Sequence, residues 1–411
     1  MNINLITYAS GLDKLTATTK IHEKTLAELE IQFDVKYFTP TEIEHIPKEN
    51  LSILFIASGG VEQQIAKDIE KLPRPIILLA DGLQNSLAAA LEVSSWLRER
   101  GIKNEILHGD IFDIKKRIVH LGINYNVQNQ LKTQRIGVFG TPAPWAIASG
   151  VDYFLAKQRW GVKFVNIPLM RLYEVYNQIE DGEVSTLCTN FSSTAYSSQE
   201  ITPKALVKSM KLYKAIRQIC DEEQLTGTTL NCYKTLAELG VTGCVANSLL
   251  NNEGIVSGCE GDLQTIFTLI MSRALTRQTG FMCNPNKIDF KENKLILGHC
   301  SIATQQTSHF ILRNHFSGKD SITIQGLLPL GEYTLIKCGG ECLDKYFVSS
   351  GYLLDNTETE PSSRTEVLFK MNENADYFLR NPLGNHHVMV RGNHESLFKS
   401  FLEAHSCKRI K

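Results

Sequence analysis

Apolar runs of four to six residues recur through the first third of the chain, each followed by a stretch in which hydrophobic positions return every three or four residues. Ile3–Tyr8, Val35–Phe38, Ile53–Ala57, Ile76–Ala80 and Glu105–His108 read as strands. Between them, 15–30, 61–71, 84–100 and 111–131 carry helical spacing, the first through Leu15, Ile21, Leu26 and Leu29. Alternation of this kind predicts βα units and a parallel sheet covered on both faces.

A second series opens at Arg135–Gly140. Helices are expected near 145–158, 170–181 and 203–223, and strands at Phe164–Ile167, Thr228–Cys232 and Ile255–Cys259, ahead of a long amphipathic helix over 262–276. Beyond about residue 290 the period shortens. Leu295–His299, His309–Phe316, Ser321–Leu327, Glu332–Ile336, Tyr346–Leu354, Arg364–Met371 and His387–Val390 are strand-like and separated by Gly, Pro and Asn, with helical patterns only at 373–380 and 394–404. The predicted architecture is α/β: two doubly wound parallel-sheet domains, 1–134 and 135–290, followed by a mostly antiparallel, barrel-like domain, 291–411.

Charge narrows the partners. A formal net charge of −1 over 411 residues leaves no electrostatic footprint for nucleic acid, and short basic groups such as Lys115-Lys116-Arg117 read as solvated faces. No window reaches the roughly 20 apolar residues that span a bilayer. The apolar start, Met1–Ser10, lacks a basic leader and a small-residue cleavage site, so a cytoplasmic protein without membrane contact is expected. The 10 cysteines contain no CxxC pair, and Cys338 and Cys342 have no matching second pair. Spacing therefore offers no structural zinc motif, and reduced thiols are expected.

Three clusters offer chemistry. Glu260, in Ser257-Gly258-Cys259-Glu260-Gly261-Asp262, falls where a strand gives way to a helix, and in parallel sheets the C-terminal strand ends face the ligand crevice. Asp262 is placed to cap that helix, or to act as a second carboxylate. His299 ends a strand. His386 and His387 are adjacent on another strand, so at most one faces a given pocket. Arg313, Asn314, His315 and Arg364 are lesser candidates, Arg364 as a bidentate partner for an anionic group or as half of a salt bridge. Phosphate-loop, GxGxxG, GxSxG and HExxH motifs are absent.

Gly258–Asp262 with its helix, Thr279-Gly280-Phe281-Met282, Leu297-Gly298-His299 and Gly384-Asn385-His386-His387-Val388 resemble, in this order, the core motifs of the L-fucose and L-arabinose isomerases. The matches cover mainly 228–300 and 383–392. The resemblance implies a divalent metal, typically Mn2+, which binds an open-chain sugar while carboxylates move a proton between C1 and C2 through an enediol. Glu260 matches the first metal-binding and catalytic glutamate, His386 the C-terminal metal histidine and His299 the additional metal-associated histidine. Arg364, Asn314 and His387 are the candidates for contacts to the sugar. A homo-oligomer, trimer or hexamer, is also implied.

One position departs from the pattern. Where the family carries a second catalytic acid, this chain has Cys283-Asn284-Pro285-Asn286, with Asn284 at the equivalent place. An amide oxygen ligates a hard cation but is no general base, and one negative charge fewer weakens the hold on the ion. Asp262 or Glu366 is then the substitute to consider. Epimerisation or carbon–carbon cleavage of a sugar derivative in the same site, and sugar binding without turnover, stand as alternatives.

Overall fold

The computed structural model describes residues 1–10, 20–316, 318–359 and 364–411. The chain divides into two compact units, Met1–Asn126 and Val127–Lys411.

In the first unit, β1 (Asn2–Tyr8), β2 (Asp34–Phe38), β3 (Leu51–Ile56), β4 (Ile76–Leu79) and β5 (Asn104–Leu107) form a parallel sheet in the order β2-β1-β3-β4-β5. Side chains alternate across a strand, and the two faces separate accordingly. Ile6, Tyr8, Leu54, Ile56 and Leu78 enter one core, while Ile3, Leu5, Ile53, Phe55, Ile77 and Leu79 enter the other. Helices α1 (Glu23–Gln32), α2 (Glu62–Asp68), α3 (Ser86–Glu99) and α4 (Ile111–Lys132) connect the strands. Of the helix expected over 15–30, residues 15–19 lie outside the described residues.

The second unit holds a second parallel sheet, ordered β7-β6-β8-β9, from β6 (Arg135–Phe139), β7 (Lys163–Ile167), β8 (Gly227–Leu230) and β9 (Val256–Cys259). The helix expected over 145–158 starts later, as α5 (Tyr153–Trp160), capped by the Asp152 carboxylate on the Leu155 amide at 2.9 Å. Residues 141–150 are irregular instead. Pro142 and Pro144 lack amide hydrogens and disfavour helical geometry in the residues before them. After α6 (Leu169–Gln178) come three helices the hydrophobic pattern does not show well or at all: α7 (Ser185–Thr194), then, beyond α8 (Pro203–Glu222), α9 (Cys232–Leu239) and α10 (Cys244–Glu253).

The reason is clearest in α10, which docks by hydrogen bonds as well as by apolar contact. Buried Asn251 donates from Nδ2 to the Ser257 carbonyl (2.8 Å) and accepts the Ser257 amide (3.0 Å), and Ser257 Oγ donates to Asn247 Oδ1 (2.7 Å). This network clamps β9, the strand that delivers Glu260. The next helix, α11 (Leu263–Thr276), is buried on nearly every side. It packs against β8 and β9 of the sheet and also against strands of the following barrel.

That barrel is a closed antiparallel ring of six strands, β14-β17-β10-β11-β16-β15, sealed by β14–β15 pairing. Its members are β10 (Phe281–Asp289), β11 (Lys294–His299), β14 (Gly331–Gly339), β15 (Lys345–Thr357), β16 (Thr365–Met371) and β17 (His387–Arg391). Strand β10, absent from the sequence reading, carries Pro285 and a register shift between Pro285 and Lys287, which breaks the alternation by which strands are recognised. A separate hairpin-like pair, β12 (His309–His315) and β13 (Gly318–Leu327), flanks the ring, and β18 (Lys408–Arg409) adds to β15. Of the two late helical patterns, 394–404 is α13 (Glu395–Ala404), whereas 373–380 yields one turn, α12 (Tyr377–Arg380). No helix among the described residues is long and apolar enough to cross a membrane.

Candidate functional site

Strand β9 ends in an unusual turn. Glu260 adopts φ 63°, left-handed backbone that a non-glycine residue takes at a cost, and Gly261 follows at φ 68°. A Cβ on Gly261 would lie 2.7 Å from Pro142 Cα, so only glycine lets the proline loop close here. The Ala143 amide donates to the Glu260 carbonyl at 2.9 Å, and Trp145 Nε1 donates to Glu260 Oε2 at 2.7 Å. The turn thus holds the carboxylate in a fixed direction.

Asp262 then begins α11. Its Oδ1 accepts the Thr265 amide at 2.7 Å, as the capping reading expects, and its Oδ2 accepts Thr265 Oγ1 at 2.8 Å and faces His386 Nδ1 at 2.9 Å. Buried Lys337 reaches the same carboxylate at 3.6 Å while donating to Thr265 Oγ1 at 2.8 Å. Asp262 is therefore engaged on both oxygens and fully buried. Its geometry is that of a residue that orients His386.

The other ring nitrogen, His386 Nε2, lies 3.7 Å from Glu260 Oε2. Burial pulls the His386 pKa down, but the hydrogen bond to Asp262 and the nearby Asp262 and Glu260 carboxylates outweigh it, and the net shift is upward. Burial pushes Glu260 up, yet the imidazole of His386, its charge and that of His299 prevail and bring the carboxyl down to about 2. His299 stacks edge-on to His386 with ring centroids 5.5 Å apart, and burial, then the His386 charge, push it down to about 4. The Ser301 amide donates to His299 Nδ1 at 3.3 Å, which helps to orient the ring.

Glu260, His299 and His386 each offer a ligand atom, and these atoms all lie within 4.8 Å of one another. Residues 126 positions apart in sequence, Glu260 and His386, thus share one cluster. A carboxylate with two imidazoles suits a first-row divalent ion. The Asp262–His386 pair supplies the outer hydrogen bond that fixes a ligating histidine, so the donor set fits a metal of the expected class.

Asn284 stands near the cluster through Asn385, whose Nδ2 donates to Asn284 Oδ1 at 3.2 Å. Across the barrel, Gly298 is the register partner of both Asn284 and Glu366. Residues directly opposite share a face, so Asn284 and Glu366 flank a position without a side chain. Glu366 is almost fully buried and accepts Asn286 Nδ2 at 2.6 Å and the Thr359 amide at 2.7 Å.

The remaining expected residues are held by other partners. His387 points the other way, as alternation along a strand requires of the neighbour of His386. It is fully buried against Phe347, Tyr377 and Phe378, with Nε2 3.0 Å from the Tyr377 hydroxyl, and burial pushes it down to about 3. His387, expected as a contact to the sugar, thus has the surroundings of a core residue. Asn314 donates from Nδ2 to the Glu200 carbonyl (2.7 Å), and Arg364 Nε donates to the Asn314 carbonyl (3.3 Å), which ties both to the β12–β13 pair.

Residues not read from the sequence complete the site. Trp145 is half exposed and meets Tyr233 edge-to-face at 4.6 Å, forming an aromatic wall beside Glu260. Its signal was a tryptophan directly after two closely spaced prolines, hidden by the helical reading of that stretch. Lys337 lies in an apolar strand, where nothing local marks a buried cation. A cavity of about 830 Å³ is lined by Ile147, Ala148, Gln264, Glu341 and Leu383, among others. It shares with the cluster the loop that carries Trp145 and the helix that Asp262 caps.

No family model matches the chain. It is similar to a sulfoquinovose isomerase of Alkalicoccus urumqiensis, with 23% identity over 267 residues, 62% of this chain and 59% of that protein. The chain thus spans less than two thirds of the length of this curated relative.

Proposed function

We propose that the protein is a metal-dependent aldose–ketose isomerase acting on an open-chain sugar through an enediolate. The observation that carries the reading is the convergence of Glu260, His299 and His386, with His386 oriented by buried Asp262. The likeness to a sugar isomerase points the same way.

Isomerisation requires a proton to leave the carbon beside a carbonyl. A divalent ion, Mn2+ for preference, would be held by Glu260, His386 and His299 and would polarise the carbonyl oxygen. Glu260 stays ionised at neutral pH and is fixed by Trp145, which suits it to take that proton. Trp145 and Tyr233 would present apolar ring faces to the carbon side of a sugar. Candidate sugars begin with the sulfonated hexose named in the relative.

Glu260→Gln keeps size and hydrogen bonding but removes the base, and should lower turnover by about 10²–10⁴-fold with the fold retained. The test is a Mn2+-supplemented assay over a panel of aldoses and ketoses, followed by solvent deuterium entering at C2. Turnover by Glu260→Gln equal to wild type would remove this residue from the mechanism.

A second reading rests on Asn284, which replaces an acid with an amide. If the site binds sugar without turning it over, Asn284→Asp should restore the missing charge, tighten Mn2+ binding and raise isomerase activity from background. Robust wild-type activity that Asn284→Asp leaves unimproved would dispose of that alternative.

A further inference from the structure

Immediately beyond the cluster described above lies a second group of donors that the proposed chemistry does not use. Cys244 is the first residue of α10, Cys300 directly follows β11, and His315 ends β12. Their ligand atoms all lie within 4.8 Å of one another, and the two sulfurs are 3.4 Å apart. Ligands held at about 2.0–2.3 Å around a tetrahedral ion stand roughly 3.4–3.8 Å from each other, so little adjustment separates this arrangement from a coordination sphere.

The chemistry of the donors differs from that of the first cluster. Two thiols and an imidazole favour soft or borderline ions, whereas the first cluster has a carboxylate and a second imidazole in place of the thiols. Thr242 Oγ1 donates to Cys244 Sγ at 3.3 Å and contacts Ser321 Oγ at 2.8 Å, and Thr323 Oγ1 donates to the Cys300 carbonyl. These contacts hold the backbone and sulfur from behind, as outer hydrogen bonds do around metal ligands. Cys244 and His315 are buried, while Cys300 is partly exposed.

We propose that Cys244, Cys300 and His315 form a second metal centre that takes Zn2+, with a fourth position open to water. On loading, each thiol gives up its proton, so that one Zn2+ replaces two H+ and ends bound by two thiolates and a neutral imidazole. Because Cys300 follows His299 directly, the ion also pins the strand end that presents His299. The assignment rests on these donors alone and not on the isomerase reading.

The test uses the full chain, stripped by chelator, fully reduced and kept anaerobic. Titration with Co2+ should produce a sulfur-to-cobalt charge-transfer band whose final amplitude corresponds to one thiolate-bound Co2+ per chain, and which is bleached by Zn2+ but not by excess Mn2+. The band should vanish in C244S/C300S and fall sharply in H315Q, and should persist in E260Q, whose defect lies in the other cluster. If the double variant is unfolded by circular dichroism, C300S alone, at a partly exposed position, serves in its place. A reduced wild-type protein with no charge-transfer band overturns the proposal, as does a band unchanged in C300S. Conversion of Cys244 and Cys300 to a disulfide with no Zn2+ uptake by the reduced protein overturns it as well.

Discussion

At the residue scale, the site depends on one carboxylate aiming another residue. Asp262 sits 2.9 Å from His386 Nδ1 and is itself saturated by Thr265 and Lys337, so it has one arrangement available. Between Asp262 and Glu260, His386 holds its proton more tightly than an ordinary histidine, and an incoming ion must displace it. Metal affinity should therefore fall as pH drops through the histidine range. Asp262→Asn leaves the cap oxygen but removes the anion, and should weaken Mn2+ binding by about 10–100-fold. Isothermal titration at several pH values checks both outcomes, and an Asp262→Asn affinity equal to wild type would contradict this role. Residue chemistry was partly legible in the chain. Glu260 and His386 were readable as a strand-end carboxylate and a turn-flanked histidine. The side to which His387 turns followed from strand alternation, but the aromatic cluster that receives it did not.

At the element scale, a strand–helix contact that looks polar in sequence decides where Glu260 lies. The α10 side chains Asn247 and Asn251 bond the backbone and hydroxyl of Ser257, three residues before Glu260. Leaving those buried groups unpaired in Asn251→Ala should destabilise the second unit by about 1–3 kcal/mol, read as a fall in its urea midpoint without change in slope. A midpoint within error of wild type would show that water replaces the asparagine there. The same elements show why sequence reading failed locally. Helix α10 hides its asparagines inside, so its polar positions look like a loop, and β10 interrupts its alternation with Pro285 and a register shift. The loop at 141–150 has apolar residues at helical intervals, yet its backbone is tied elsewhere, the Ala143 amide to the Glu260 carbonyl and the Asp152 amide to the Glu341 carbonyl.

At the scale of the whole molecule, each unit carries its own core and its own electrostatics. In the first, Asp81 accepts from the Leu83 amide and lies 2.6 Å from His22 Nδ1. Burial raises the Asp81 pKa, but the bonds to His22 and Leu83 prevail, and the net shift is below the ordinary aspartate value of 3.8. Its contribution to stability is therefore complete above that value and lost as pH falls through the lower, folded one. Asp81→Asn should remove this share. Amide exchange in the Met1–Asn126 unit between pH 7 and pH 3 should show a flatter acid dependence in the variant, and parallel curves would refute the assignment.

The sequence by itself determined the order of elements, two parallel sheets and then an antiparallel β region, because apolar periodicity is local and a strand or helix writes its period into adjacent residues. It also determined the residue types available for chemistry, among them Glu260, His299 and His386. Only the tertiary structure decided which of these meet. Barrel closure sets His386 beside a turn made more than a hundred residues earlier. It turns His387 into the core, tucks Lys337 under Asp262 and gathers Cys244, Cys300 and His315 with no spacing motif among them. Convergence of that kind is fixed by strand pairing and helix docking across long separations, and no window along the chain contains it.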